Sequence, residues 1–402
     1  LGADGMPRYE RYELEPNEPR GSREVYLPFA GTYEIRVTDY AHVLSSVFSS
    51  VQSIPVGGPD FGYSVEVKNL GVPTPEKVSL PSTKTGDLSG GKLHFFSATG
   101  LAAGSFAGVS SMGVPPPEKE SDAFRAVMVF GPTGAFLGQN VAYQTYAAAE
   151  MPFSAVAGGD YLVVQDYLMK IGSRDDFSLE LFAMQPLTCA GDACKQGSIP
   201  ADGNQLLRWD LKKGDFLTAG VYMFSADAYV KVSIYDGDMQ PALADSAANP
   251  GAVGMAHYFA EKQTSAYVWL REWDGIAIPE YQVEATVIAT PEFKAGNTYT
   301  NQPVSEMPPY TLRNAGIGHY QAKAGQMVFF TGLATHPDGW AAPQELLMTT
   351  RLDTMGPVID TQAWNFPDGF VTPLFTYVNR DGYYLHYVWD GGDPIANATY
   401  DV

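Results

Sequence analysis

The phrase YSVEV at 63–67 returns as FSLEL at 177–181 and as YQVEA at 281–285, and ATYDV closes the chain at 398–402. A unit repeated in series must bury its own core each time, so this self-similarity constrains the fold more than any local signal. Within a copy the bulky residues alternate. Tyr63, Val65 and Val67 share one face and Ser64 and Glu66 the other, the period of a strand with one face in a core. The recurring acid (Glu66, Glu180, Glu284, Asp401) then lies on the outward side, where a carboxylate on an edge or outer strand discourages edge-to-edge pairing.

Ahead of each closing phrase stands a second strand with a shared start. Its copies are GTYEIRVTDY from Gly31, GDYLVVQDYL from Gly159, SAYVWLREWD from Ser265 and GYYLHYVWDG from Gly382. In the first copy Tyr33, Ile35 and Val37 are expected inward, with Glu34 and Arg36 outward. A third element occurs as FFSATG, WDLKKG and YQAKAG and ends on Gly100, Gly214 and Gly325, a strand running into a turn whose glycine permits positive φ. These glycines lie 114 and 111 residues apart. Short strands repeating near that length predict an all-β chain of tandem antiparallel β-sandwiches of jelly-roll or Ig-like type.

Helical patterning is poor, and only YQTYAAAEM at 143–151 suggests one short helix. The expected divisions are a partial sandwich over 1–70 lacking its first strands, then sandwiches over 71–186, 187–288 and 289–402. The segments between them are rich in Pro, Gly, Ser and Thr. They are too long to be structureless, so each is expected to contain an opening strand of the next sandwich.

Of 402 residues, 45% are hydrophobic and 13% aromatic, ample for several cores. The net charge of −20, from 45 acidic and 25 basic residues, repels phosphate backbones and anionic lipid, so nucleic acid is excluded as the expected partner. It suits cations, Ca²⁺ above all, with simple solubility the plainer alternative. No apolar run is long enough for a transmembrane segment. The chain begins at Leu1 without a basic n-region or apolar h-region and reads as a mature or partial protein.

Cys189 and Cys194, in TCAGDACKQG, are spaced to close a small disulfide loop. The alternatives are a reduced thiol pair or half of a zinc site that lacks further Cys or nearby His. A disulfide implies an oxidising compartment. The six histidines (His42, His94, His257, His319, His336, His386) form no metal spacing and are read as packing residues. No G-x-S-x-G elbow or phosphate loop occurs. The carboxylate pairs Asp236 with Asp238 and Asp175 with Asp176 are candidate calcium ligands or, alternatively, ordinary polar turns. Trp273 and Trp389, each in a W-D-G triplet, either cap their sandwiches or contact a sugar or a protein partner.

The G-T-Y-E-I-R-V strand at 31–37, DFGYSVEV at 60–67 and the mid-repeat turns in VFGPTGAFLGQN and IYDGDMQPALADS resemble the bacterial pre-peptidase C-terminal domain family. The resemblance extends over three full copies and one partial copy. It implies secreted, non-catalytic β-sandwich modules appended to peptidases or strung along surface proteins, some relatives binding Ca²⁺ or polysaccharide.

The expected function is therefore that of a non-catalytic structural or adhesive protein of the bacterial exterior or an appendage. It needs no cofactor, with calcium the one candidate. Its partners are other surface proteins, itself or polysaccharide. The alternatives are the C-terminal accessory region of a secreted hydrolase and a carbohydrate-binding module.

Overall fold

The computed structural model describes residues 12–13, 24–27, 30–33, 64–88, 91–113, 123–142, 148–170, 176–190, 194–224, 229–241, 246–248, 253–272, 275–294, 296–299, 302–303, 305–307, 312–330, 333–335, 345–350, 361–365, 374–378, 381–390 and 399–401. Among these the chain is all-β, without a helix. It forms two compact units, Leu1–Met184 and Gln185–Val402.

In the first unit a six-stranded sheet runs in the order Glu76–Val78, His94–Leu101, Gly159–Lys170, Ala123–Phe130, Phe136–Val141, with Tyr12–Glu13 paired in parallel to the end of Gly159–Lys170 off this path. It faces a four-stranded sheet of Ser82–Asp87, Asp176–Met184, Phe106–Met112 and Ala149–Ser154. Val109, Val127, Phe153, Tyr161, Phe177 and Leu179 fill the space between.

The second unit repeats this topology strand for strand. Pro186–Thr188, Asn204–Leu211, Thr264–Glu272, Val230–Tyr235 and Ser246–Ala248 form one sheet. Gln196–Ile199, Ile278–Ala289, Asp215–Met223 and Gly254–Phe259 form the other. A third sandwich follows, with a five-stranded sheet of Ser305–Met307, Leu312–Ala322, Gly382–Asp390, Glu345–Thr350 and Thr361–Asn365. Opposite strand positions belong to Met327–Phe330, which pairs with Leu374–Tyr377.

This order explains the repeated phrases. The strand starting at Gly159, Thr264 or Gly382 is the central strand of the larger sheet in its sandwich, and it is buried on both faces rather than one. Val163 and Val164 are fully enclosed, as are Val268, Trp269 and Leu270. The closing phrases at 177–181 and 281–285 turn Phe177, Leu179, Tyr281 and Val283 inward as expected. Both nevertheless lie within their sheets, with a strand on either side. Glu180 and Glu284 therefore sit on the outward face of an interior strand and protect no edge.

Three further expectations are corrected. Ser64–Val67 pairs with no strand, and Val65 and Val67 are exposed, as is Tyr33. An extended segment without ladder partners buries nothing however well it alternates. The rest of those two phrases, Tyr63 and residues 34–40, lies outside the described residues. Ala149–Ser154 forms a strand where a short helix was suggested, because its backbone is claimed by Phe106–Met112.

The glycine alignment of the first repeat also shifts. Gly100 has positive φ but lies in a register break between Ala98 and Leu101. The residue matching Gly214 and Gly325 is Gly104. Its N–H donates to Ala155 as theirs do to Ala260 and Val378, at 2.7, 2.8 and 2.7 Å. The spacings become 110 and 111 residues. The segments between closing phrases contain two strands each, one for either sheet, as in Pro186–Thr188 and Gln196–Ile199.

Within the second unit the two sandwiches bury an apolar seam. Phe216, Phe259 and Ile288 of one pack on Ile317, Tyr383 and Leu385 of the next. Thr290 ties the joint, its Oγ1 donating to the Gly214 carbonyl at 2.7 Å and lying 2.7 Å from Nδ1 of His319. His257 stacks on Phe216, with ring centroids 5.9 Å apart and planes 7° apart. Truncating the fully enclosed Phe216 or Leu385 to Ala is expected to cost about 3 kcal/mol, read from urea unfolding.

Burial pushes the His257 imidazole down to about 4 and lowers His319 in the same direction. Both groups charge more readily once unfolded. Their support is therefore full above pH 6.5 and declines as pH falls from there, for His257 toward about 4. Because His257 as a residue is only half-buried, the loss is set at roughly 2 kcal/mol. Unfolding curves across this window should show it, and His257→Phe should flatten the decline.

Candidate binding surfaces

Two surfaces of the second sandwich gather polar groups. The first follows from the cysteine pair. Cys189 and Cys194 form a disulfide with Cα atoms 5.2 Å apart, linking Pro186–Thr188 of one sheet to Gln196–Ile199 of the other. Cys194 is buried in the core and Cys189 packs against it. The backbone holds both flanks: Cys189 N–H donates to Arg208 O at 2.7 Å, and Val283 N–H to Lys195 O at 2.9 Å.

Beside the disulfide opens a cleft of about 370 Å³ lined by Lys195, Gln196, Trp209, Gln282 and Glu284. Trp209 belongs to the core and shows only 7% of its surface there. Glu284 accepts a hydrogen bond from the Tyr222 hydroxyl at 3.1 Å. One indole edge with two amides, an amine and a carboxylate can hold a small polar ligand. It supplies no nucleophile–base pair. Trp209, Gln282 and Lys195 share no signal in the sequence as a site, because they come from two strands and a bend far apart along the chain.

The second surface is the turn after Val230–Tyr235. Asp236 Oδ1 accepts the backbone N–H groups of Asp238 and Gln240, both at 2.9 Å, while Met239 takes positive φ. The Asp236 carboxyl titrates above the ordinary value because burial disfavours its charge. Asp238 is exposed, 3.8 Å from Lys262. The two aspartates thus share a turn, but Oδ1 of Asp236 is already engaged by the backbone.

Asp176 opens its strand opposite Asp87, and Asp175 lies outside the described residues. Trp273 lies outside them too, and Trp389 is described in backbone only, paired with Ala315 and Leu346. Among the described residues no three His, Cys, Asp or Glu side chains converge as a metal site. Nor is any helix long and apolar enough to cross a membrane.

No family model matches the chain. No curated protein matches it either. Among solved structures, a human CUB1-EGF-CUB2 fragment of MASP-1/3 is similar at 6% identity, covering 51% of this chain and 99% of its own, with a TM-score of 0.17. The CBM22 tandem of Paenibacillus barcinonensis Xyn10C gives 14% identity, 51% and 83% coverage and a TM-score of 0.18. An archaeal virus protein with a triple jelly-roll fold in a turret assembly gives 10% identity, 77% and 81% coverage and a TM-score of 0.18. Scores this low equate neither the arrangement nor the function of any two chains. The β-sandwich reading rests on the strand order itself.

Asp236→Ala should lower stability by about 1–2 kcal/mol through the two orphaned N–H groups, and Asp238→Ala by less than about 0.5. Thermal melts with and without Ca²⁺ check this. A Ca²⁺-dependent rise in Tm lost with Asp236→Ala would reassign the turn as an ion site.

Proposed function

We propose that the chain is a non-catalytic extracellular module protein that acts as a structural or adhesive element of a bacterial exterior, related in kind to the pre-peptidase C-terminal sandwiches. The supporting observation is the seam between the second and third sandwiches. Aromatic and aliphatic side chains on the outward faces of two sheets are spent on holding one module against the next. Proteins that give reach or a scaffold need this stiffness, whereas a catalyst needs a convergent cleft. The closed disulfide and the net charge of −20 accord with an oxidising, exposed setting. No cofactor is needed for such a role.

A second reading, a polysaccharide-binding module, is favoured by the polar, indole-edged cleft at the disulfide. The purified chain is expected to hydrolyse neither peptide nor glycoside substrates, and turnover removed by a point mutation would overturn the proposal. On a glycan array, binding that disappears with Gln282→Ala and Glu284→Gln would put the second reading in its place.

A further inference from the structure

The seam has a counterpart with nothing seated on it among the described residues. Two residues after the turn glycines Gly214 and Gly325, Phe216 and Met327 occupy the same position in the fold. Across the ladder Phe216 faces Phe259, and Met327 faces Tyr377. In the second sandwich this pair is 0% and 5% exposed, pressed on Ile317 and Leu385 of the following sheet. In the third it is 70% and 64% exposed.

The complementary face recurs as well. Phe95 and Leu162 of the first sandwich match Ile317 and Leu385 in register, counted from the Ala98–Tyr161 and Tyr320–Tyr384 pairs. Tyr26 lies over that face, its ring 5.4 Å from Phe95 and 5.3 Å from Phe130. Its segment is held by a few bonds: Glu24 N–H to Gly91 O at 2.9 Å, and Leu93 N–H to the Glu24 carboxylate at 3.0 Å. Val25 and Leu27 beside it are exposed.

We propose that Met327 and Tyr377 dock on a second copy of this chain, taking the Phe95–Leu162 face in place of the Tyr26 segment. The contact continues the geometry of the internal seam from one molecule to the next. It joins unlike faces, so it propagates rather than closing at a pair. The inference rests on the stacked-module function proposed above and extends it to self-association.

Sedimentation velocity at near-physiological salt, where the acidic surfaces are screened, tests it with the 402-residue chain and three variants of it. The expected result is concentration-dependent association beyond the dimer for Tyr26→Ala, tighter by about tenfold or more than wild type. Adding Met327→Asp and Tyr377→Asp should return that chain to monomer. In the wild type the same two substitutions should abolish any association while leaving the melting temperature unchanged, since both side chains are exposed. A Tyr26→Ala chain that stays monomeric at every concentration overturns the proposal. So does association that stops at two copies, or that ignores the double substitution. Each of these results leaves the stacked-module function standing, which fails instead on turnover or glycan binding.

Discussion

The double-sided burial of the central strand in the larger sheet of each sandwich is the constraint on which the rest depends. A strand covered on one face needs only a core. One that presents Val163 inward and Val164 outward, or Val268 and Leu270 inward and Trp269 outward, needs a second cover as well. On the first sandwich the second cover includes Tyr26. On the third it is supplied by Phe216 and Phe259 of the module before. The third module is therefore completed by the one before it, and at that joint stacking is a property of the packed faces rather than of a linker.

Polar groups mark the ends and joints of these units. Glu272, fully buried, accepts the N–H groups of Asp202 and Ile276, and Arg271 beside it donates to the Asp202 and Gly203 carbonyls. Together they fix the turn that opens Asn204–Leu211. Asp236 does the same for the mid-repeat turn. Satisfying buried backbone groups in this way is what lets short strands end abruptly without loss of order. Acidic residues here are used for architecture, which is why an acidic composition alone gives little guide to ion binding.

The histidines illustrate the same economy. His257 and His319 lie in the seam against Phe216 and Phe259, as flat apolar bodies, with Thr290 hydrogen-bonded to one of them. Their role as packing residues was readable from their aromatic neighbours in sequence. That they pack between modules was not.

Period-two alternation and glycines at turns determined, by themselves, an all-β chain with sandwich-sized repeats and turns at Gly214 and Gly325 that permit positive φ, while the tight cysteine spacing allowed the Cys189–Cys194 loop that the structure closes. These are local properties, set by backbone sterics and short chain reach. Only the tertiary structure decided which faces are covered twice, that Ser64–Val67 lacks a partner, and that Gly104 rather than Gly100 heads the first repeat. Pairing is a contest between distant segments for the same ladder, and a register break costs one residue of sequence yet moves every side chain after it. The cleft at Trp209, Gln282 and Lys195 belongs to the same category, since no spacing along the chain brings three strands of two sheets to one opening.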